Sequence, residues 1–342
     1  MPCKIAINGY GRIGRCVLRA LYESDYYQSH FIPVAINEIA NSEAIFHLTK
    51  YDSTHGRFPL PVEYSEGNLM IKDHKIRVLG IKDYKRLPWD EMDIDIVLEC
   101  SGAFKDRATG FKHIKQGAKR LIFSQPAASD VDATIVYGVN HQILKPTDTI
   151  ISNASCTTNC IVPVIKVLDE ALEIEHATIT TIHSAMHDQP VIDAYNSDLR
   201  KTRSALQSII PVSTGLERGI TRILPKFDGK IETLAIRVPT TNVSLMDLTA
   251  QVKRETNREE INLLLKDAAQ KQFSRIMGFN DEQLVSCDFN HDRRSSIIDA
   301  NQTRVSGKKL VKVMAWFDNE WGYANRMLDT AIELSKFIGT YA

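Results

Sequence analysis

The chain has 342 residues, which is longer than most single-core domains and fits two domains. Its hydrophobic fraction of 43% supports buried cores and excludes a disordered chain. Lys plus Arg and Asp plus Glu number 42 each, so the formal net charge is zero. This balance provides no broad basic surface for nucleic acid or for an anionic membrane. We therefore expect neither partner.

The six cysteines lack the spacing of a metal site and do not form a dense disulfide framework. We predict reduced thiols and no metal site. Met1 runs directly into a strand-like segment, which leaves no room for a signal peptide. No apolar stretch approaches the roughly 20 residues of a membrane span. These features predict a soluble, cytoplasmic protein.

The first half of the chain alternates apolar runs with helical patterns. Helical stripes follow the first two runs, at Val17–Leu21 and Ala44–Leu48, and such alternation is typical of a doubly wound parallel sheet of the Rossmann type in an α/β protein. Residues 68–79 instead read as an inserted hairpin. The predicted strands are Cys3–Asn8, Phe31–Asn37, Ile94–Cys100 and Arg120–Ser124.

The second half has longer strand patterns and fewer helices. A helix is predicted near residues 156–172 and an amphipathic helix over Asn257–Gln272. Together they indicate an α+β domain with a mostly antiparallel sheet. We predict one domain from residues 1–154 and 320–342, with the C-terminal helix packing back, and another from residues 155–319. The predicted strands are Thr178–His183, Leu234–Val238, Val243–Val252 and Leu310–Phe317.

A glycine-rich turn joins the first predicted strand to its helix, at Gly9-Tyr10-Gly11-Arg12-Ile13-Gly14. Glycines at this spacing allow a tight turn and close approach of the backbone to a pyrophosphate, which the free N–H groups of the helix start would bind. Glu38 closes the second predicted strand, where a carboxylate would hold ribose hydroxyls and repel a 2′-phosphate. The pattern predicts a dinucleotide site that prefers NAD. An ordinary βα turn is the alternative.

The segment Ser152–Cys160 is densely polar and precedes an apolar helical stripe. A cysteine at a helix start lies among unpaired N–H groups, which favour its thiolate and could hold an oxyanion. Cys156 is therefore the predicted nucleophile, with a low pKa. Cys160, one turn later, reads as a small buried thiol. Pro163 predicts a kink in this helix.

A thiolate needs a basic or cationic neighbour, and His183 is the best candidate. It ends a predicted strand and begins the polar segment His183–Gln189. The competing interpretation is that His183 only caps the strand.

At these residues the sequence resembles the glyceraldehyde-3-phosphate dehydrogenase family over nearly its whole length. Order and spacing both agree, so chance similarity is negligible. The resemblance implies that residues 1–154 and 320–342 form an NAD-binding domain and that residues 155–319 form the catalytic domain. The matching segments are Asn8–Arg15, Ser155–Cys160, Arg203–Gly215, Arg237–Leu248 and Trp316–Arg326.

The resemblance also implies a role for each matching residue. Cys156 would form a hemithioacetal with a phosphorylated aldehyde, His183 would take the proton as hydride leaves for NAD, and phosphate would attack the resulting thioester. Asn319 would hold the nicotinamide carboxamide beside Tyr323. The rest of NAD would be held by Gly9, Gly11, Arg12, Ile13, Gly14, Glu38 and Ser124, the attacking phosphate by Ser155, Thr157, Thr214 and Gly215, and the substrate phosphate by Asp188 and Arg237, with Arg203 near both.

One departure concerns the substrate. Family members specialised for glyceraldehyde 3-phosphate usually carry a threonine three residues after the histidine, and this chain has Met186 there. The segment His183–Pro190, with Asn290–Asp292, resembles the erythrose-4-phosphate dehydrogenase subgroup. That subgroup is the favoured interpretation, with oxidation of erythrose 4-phosphate to 4-phosphoerythronate. Glycolytic oxidation of glyceraldehyde 3-phosphate to 1,3-bisphosphoglycerate is the alternative.

Other functions remain open at the level of sequence. Water rather than phosphate could resolve the thioester, and the pathway could be glycolysis or vitamin B6 synthesis. A non-catalytic NAD sensor or nucleic-acid binder is a remote alternative, because it would not need Cys156 and His183. The resemblance further implies a homotetramer in which residues 188–208 cross to a neighbouring subunit. That stretch reads as polar, with few apolar anchors.

Overall fold

The computed structural model describes residues 2–338. Within them the chain divides into two compact units, one of residues 2–155 and 323–338 and the other of residues 156–322.

The first unit is built on a mostly parallel sheet. Its elements in chain order are β1 (Cys3–Asn8), α1 (Arg12–Tyr22), α2 (Asp25–His30), β2 (Phe31–Asn37), α3 (Ser42–Lys50), β3 (Tyr51–Asp52), β4 (Gly56–Arg57), β5 (Val62–Ser65), β6 (Asn68–Ile71), β7 (His74–Leu79), β8 (Ile96–Glu99), α4 (Arg107–Lys115), β9 (Arg120–Phe123), β10 (Ala133–Thr134) and β11 (Ile150–Ser152).

The strand order in this sheet is β10-β11-β9-β8-β1-β2-β7-β6-β5. Pairing is parallel from β10 to β7 and antiparallel through β6 and β5. The central strands are apolar on both faces, as strands covered by helices must be, and Ile5, Ile7 and Val97 are fully buried. The carboxyl ends of β1 and β2 thereby place the glycine turn and Glu38 next to each other.

The second unit is built on a mixed, mostly antiparallel sheet. Its elements are α5 (Cys156–Leu172), β12 (Ile174–Ser184), β13 (Ile210–Val212), α6 (Leu216–Ile223), β14 (Ile231–Val238), β15 (Ser244–Val252), α7 (Arg258–Gln270), β16 (Met277–Asn280), β17 (Ser296–Asp299), β18 (Arg304–Ser306), β19 (Leu310–Phe317) and the start of α8 (Trp321–Ser335).

Its strand order is β13-β14-β12-β15-β19-β17-β16, with β18 against β19. The pairs β12–β14 and β16–β17 are parallel, and the other pairs are antiparallel. Along β15 buried and half-buried residues alternate strictly, so one face of the strand is turned to the core. The predicted fold class, a Rossmann-type α/β domain with an α+β domain, is confirmed.

Several predicted elements match the structure and some differ. β1, β2 and β19 have the predicted bounds. The predicted hairpin is present as β6 and β7, and β7 also pairs with β2, so the hairpin is part of the main sheet. The short helix α2 was missed, since DYYQSH carries no helical stripe. Pro163 lies inside α5, which is assigned as one helix from Cys156 to Leu172.

The C-terminal helix α8 contacts residues of the first unit from Tyr323 onward. The Tyr27 hydroxyl donates to the Asn325 carbonyl and to Asp329 Oδ1, at 3.2 and 3.1 Å. The Thr330 hydroxyl donates to Asn153 Oδ1 at 2.7 Å. These contacts hold the helix against α2 and against Asn153, the residue that follows β11.

The stretch of residues 188–208 differs from the sequence interpretation. The sequence predicts a polar stretch with few apolar anchors, but several large apolar side chains lie exposed in its loops and in the 3₁₀ turn over Leu199–Thr202. The exposed side chains are Val191, Ile192, Tyr195, Leu199 and Leu206. Among the described helices, none is both long and apolar enough to cross a membrane.

Candidate active site and cofactor site

The glycine turn has the geometry that the fingerprint predicts. Gly9 has φ +87°, and a Cβ there would meet the Ser101 backbone at 2.4 Å. A Cβ on Gly14 would meet the Gly9 carbonyl oxygen at 2.3 Å, so only glycine permits α1 to pack this closely. A Cβ on Gly11 would meet nothing within 4 Å, and no side chain caps the start of α1. The first turn of α1 therefore presents N–H groups beside open space, as a pyrophosphate site requires.

Glu38 lies against this turn. Its carboxylate accepts hydrogen bonds from the backbone N–H of Tyr10 and of Ile39, each at 2.8 Å. A carboxylate has four lone-pair sites, so these bonds leave capacity for ribose hydroxyls. The side chain thus ties the glycine turn to β2 while keeping a negative charge beside it.

Arg12 and Ser124 occupy the same unit. Arg12 forms a two-pronged ion pair with Asp52, at 2.5 and 3.2 Å. Burial alone would raise the pKa of Asp52, but hydrogen bonds from the His55 N–H, from Arg12 and from the Thr54 N–H together lower it to about 2. The Ser124 N–H donates to the Glu99 carbonyl at the end of β8. Ile13 lies half-buried in the first turn of α1.

A tight turn precedes Cys156. Ala154 has φ +54°, a left-handed conformation that costs a non-glycine residue energy. The Ser152 hydroxyl accepts from the Ala154 N–H at 3.1 Å, and the buried Tyr323 hydroxyl donates to the Ala154 carbonyl at 2.9 Å. These bonds hold the turn, and Cys156 is the first residue of α5, as predicted.

The structure brings Cys156, His183 and Arg237 together. The distance from Cys156 Sγ to His183 Nε2 is 3.9 Å, and from Arg237 Nη1 to His183 Nδ1 it is 2.7 Å. Parallel pairing of β12 with β14 makes His183 and Arg237 neighbours in register. The alternative in which His183 only caps its strand does not describe this arrangement.

The pKa values of the pair contradict the predicted low-pKa thiolate. Burial raises the pKa of Cys156 to about 11, although Arg237 and the N–H groups of Thr157 and Cys156 act in the opposite direction. Burial, with help from the Arg237 charge, lowers the pKa of His183 to about 4. The prediction was wrong because the cost of removing the thiolate from water is larger than its stabilisation by Arg237 and by the N–H groups at the start of α5.

The predicted phosphate residues are only partly grouped. Asp188 forms an ion pair with Lys201 at 2.8 Å, a partner that the sequence reasoning missed. Arg203 is exposed and pairs with Asp193 at 2.9 Å. The Asp188 carboxylate would itself repel a phosphate. Its ion pair instead positions Lys201, whose positive charge could attract one.

A second group of predicted phosphate residues lies near the start of α6. Gly215 is the residue before the helix, and the Thr214 hydroxyl accepts from the Leu216 N–H at 3.2 Å. A Cβ on Gly219 would meet Thr158 Oγ1 at 2.6 Å, so α6 packs very closely on the first turn of α5. Ser155 and Thr157 flank Cys156 at that turn.

Asn319 is held by two serines that sequence reasoning missed. The hydroxyls of Ser184 and Ser244 donate to its Oδ1 at 3.0 and 2.8 Å. Its NH₂ group therefore remains the donor that a carboxamide oxygen would need. A signal was available in sequence, because both serines lie at the ends of predicted strands next to motif residues.

The comparison with known families agrees with this geometry. Residues 3–107 match the family described as glyceraldehyde 3-phosphate dehydrogenase, NAD binding domain. Residues 155–319 match glyceraldehyde 3-phosphate dehydrogenase, C-terminal domain. The chain belongs to the glyceraldehyde-3-phosphate dehydrogenase family. The predicted NAD cofactor is confirmed for the first of these regions, and the family makes the protein an NAD-dependent oxidoreductase that acts on aldehydes.

Proposed function

We propose that the protein oxidises a phosphorylated aldehyde through a thioester on Cys156. The observation that carries this proposal is the grouping of the Cys156 thiol, the His183 imidazole and the Arg237 guanidinium within hydrogen-bonding range. A sulfur nucleophile with an adjacent base is the arrangement that covalent acyl transfer requires. Arg237 adds a planar cation suited to a phosphate.

The reaction divides into two steps for the protein's own residues. The Cys156 sulfur attacks the aldehyde carbon, and a C–S bond forms as the carbonyl electrons move to oxygen. The N–H groups at the start of α5 stabilise that oxyanion. His183 Nε2 takes the proton that leaves the thiol and returns it to the oxyanion, which gives the hemithioacetal hydroxyl. It then takes that proton back as the C–H bond of the former aldehyde carbon breaks, and NAD would supply the hydride acceptor. The product on Cys156 is a thioester.

The remaining roles follow the family resemblance and these contacts. The Asn319 NH₂ group would donate to the nicotinamide carboxamide. The α1 start would hold the pyrophosphate and Glu38 the ribose. Tyr323 would serve mainly to hold the Ala154 turn, since its hydroxyl is already engaged there. In this scheme NAD is bound through Gly9, Gly11, Arg12, Ile13, Gly14, Glu38, Ser124, Asn319 and Tyr323.

The acyl acceptor is the second part of the proposal. The family resemblance assigns the attacking phosphate to Ser155, Thr157, Thr214 and Gly215. Ser155 and Thr157 flank the first residue of α5, and Thr214 and Gly215 precede α6. Hydroxyl and N–H donors of this kind suit a phosphate oxyanion. An assay with and without inorganic phosphate decides between phosphorolysis and hydrolysis. Loss of steady turnover without phosphate supports phosphorolysis, and unchanged turnover assigns water as the acceptor.

We propose erythrose 4-phosphate as the preferred substrate. Met186 replaces the threonine usual in the glyceraldehyde-3-phosphate enzymes and is 37% exposed. Its backbone is fixed by a turn, because the Met186 N–H donates to Gln189 Oε1 and the Gln189 N–H to the Met186 carbonyl, each at 3.0 Å. A thioether cannot donate to the phosphate of the shorter substrate, whereas a substrate one carbon longer places its phosphate roughly 1.3–1.5 Å farther away.

The test compares kcat/KM for both aldehydes in wild type and Met186→Thr. A lost hydrogen bond to a charged group is worth about 1.5–3 kcal/mol, so the substitution should improve the shorter substrate by about tenfold to a hundredfold relative to the longer one. Leu234→Thr, at an exposed position on β14, is the control and should leave the ratio unchanged. A wild-type preference for glyceraldehyde 3-phosphate by about tenfold or more would make the glycolytic reaction the function.

We also propose a homotetramer. Residues 188–208 expose several large apolar side chains, and partner chains commonly cover such side chains. The family resemblance makes a second copy of this chain the partner. Light scattering should show a tetramer, and Ile192→Asp, at a side chain 78% exposed, should weaken it. An active monomer in the wild type would overturn this proposal.

A further inference from the structure

Three strand ends of the second unit meet beside Asn319. β12 ends at Ser184 and β15 begins at Ser244, and the two strands are antiparallel, so both serines lie at the same end of the pair. Ser244 is also in register with Phe317, the last residue of β19, and Asn319 follows two residues later. The register of these three strands therefore brings both serine hydroxyls to the Asn319 side chain.

The backbone on either side of Asn319 is held by Asp318. Its Oδ2 atom accepts from the His291 N–H at 2.7 Å, and its Oδ1 atom accepts from the N–H groups of Glu320 and Trp321 at 2.9 and 2.8 Å. Bonds from backbone N–H groups to a carboxylate are stronger than bonds between neutral groups. What remains to be set is the rotation of the Asn319 side chain.

The two serines set that rotation. The hydroxyls of Ser184 and Ser244 donate to Asn319 Oδ1 at 3.0 and 2.8 Å, and two bonds use both lone pairs of an amide oxygen. The Ser244 oxygen also accepts from the Ser184 N–H at 3.1 Å, so the two serines hold each other in place. The NH₂ group is left as the end of the amide that the serines do not occupy.

The same hydroxyls disfavour the reverse orientation of the amide. A flipped Asn319 would present its NH₂ group to Ser184 and Ser244, and their two protons would lose Oδ1 as acceptor. Both serines are buried, at 0% and 1% exposure, so water has little access to replace that acceptor. A buried donor without a partner is costly. The structure therefore fixes both the rotamer and the direction of the amide.

We propose that Ser184 and Ser244 are positioning residues that hold the Asn319 NH₂ group toward the cofactor, so that the site selects a ring carrying a carbonyl acceptor. The inference rests on the proposed function, in which Asn319 donates to the nicotinamide carboxamide, and adds what fixes the direction of that bond. A side chain already held in place loses little rotational freedom when the ligand binds. The serines thus contribute to affinity without contacting the ring.

The first test measures which atom of the carboxamide the site requires. Calorimetry on wild type compares NAD with 3-acetylpyridine adenine dinucleotide, which keeps the carbonyl oxygen but has a methyl group in place of NH₂. ADP-ribose, which lacks the ring, is the third ligand. The acetyl analogue should bind within about threefold of NAD, and ADP-ribose should bind about threefold or more weakly than both, as expected for one lost hydrogen bond. An analogue that binds no better than ADP-ribose overturns the inference.

The second test removes the two hydroxyls. The double variant Ser184→Ala, Ser244→Ala should bind NAD about threefold to tenfold more weakly, since one side chain must then be ordered on binding, and should bind ADP-ribose as wild type does. Equal weakening of both ligands, or no change in either, overturns the inference. The first test needs no variant, so it decides the question even if the double variant fails to fold.

Thr181→Val is the matched control for the double variant. It also removes a buried hydroxyl between β12 and β15, where the Thr181 hydroxyl donates to Met246 Sδ at 3.3 Å. This contact does not involve Asn319. The control should therefore bind NAD and ADP-ribose as wild type does, and a loss of NAD affinity equal to that of the double variant overturns the inference.

NADH formation from both sugar phosphates is measured on the same wild-type protein. Turnover by a protein that binds NAD and ADP-ribose equally overturns the inference and leaves the proposed function in place. Equal binding of NAD and the acetyl analogue, with weaker ADP-ribose and no turnover of either aldehyde, supports the inference and overturns the proposed function.

Discussion

At Cys156 two influences on the thiol oppose each other. The α5 start and Arg237 favour the thiolate, and burial of the sulfur disfavours it more strongly. Sequence indicates the first influence, because a cysteine before an apolar stripe predicts a helix start. It does not indicate the second, because burial of one atom depends on side chains from several strands. The position of Cys156 at the start of α5 was therefore predicted correctly, and the direction of its pKa shift was not.

Glu38 provides a prediction at the same scale. Its carboxylate lies on the glycine turn, where a 2′-phosphate would meet a like charge, and Ile39 rather than arginine follows it. We expect Glu38→Gln to narrow the preference of kcat/KM for NAD over NADP by about tenfold or more, since like charges in a desolvated site cost several kcal/mol. Steady-state rates with both cofactors measure this ratio.

Glu43→Gln, which removes an acidic side chain from the first turn of α3, is the matched control and should leave the ratio unchanged. Equal use of NAD and NADP by wild type would contradict the assignment of Glu38.

Among the elements, the helix pair α5 and α6 depends on one glycine. A Cβ on Gly219 would meet Thr158 Oγ1 at 2.6 Å. Overpacking of this kind costs about 1–3 kcal/mol, and separation of the helices would loosen the proposed phosphate donors. We expect Gly219→Ala to lower stability in urea unfolding and to raise the KM for phosphate.

Thr158→Ala in the Gly219→Ala background removes the obstructing hydroxyl and methyl group. The second substitution should recover part of the lost unfolding free energy. If Gly219→Ala acted only through the backbone flexibility of α6, Thr158→Ala would recover none of it. If the effects of the two substitutions on the unfolding free energy are additive, the two side chains do not clash.

The strands illustrate what sequence can and cannot predict about an element. β1, β2 and β19 follow from apolar runs between turn signals, and their bounds were predicted. Pairing of β12 with β14 was not predictable, because parallel partners lie far apart in the chain and their register leaves no local pattern. The same limitation concealed the contact between His183 and Arg237.

Across the whole molecule, pH provides a test of the buried imidazole. The His183 pKa is lowered to about 4 from 6.5. Between about pH 4 and pH 6.5 the His183 side chain is therefore protonated in the unfolded chain and not in the folded chain. The free energy of unfolding rises with pH across this range. The contribution of His183 is present above pH 6.5 and is lost as pH falls toward 4, by about 2 kcal/mol between about pH 7 and pH 5.

Urea unfolding of wild type and His183→Gln at these two pH values measures the difference. The variant should lose less stability on acidification, and His176→Gln, at an exposed histidine, should follow wild type. An equal loss of unfolding free energy in all three proteins would show that protonation of His183 does not cause the pH dependence.

The central claim is that Cys156 carries the acyl group. Protein is mixed with NAD and erythrose 4-phosphate or glyceraldehyde 3-phosphate without inorganic phosphate, quenched in acid and analysed by intact and peptide mass spectrometry. The account predicts one acyl adduct per chain on the peptide that holds Cys156, with matching NADH, and neither signal in Cys156→Ala. Formation of NADH by Cys156→Ala at the wild-type rate, or an adduct on another cysteine, would contradict it.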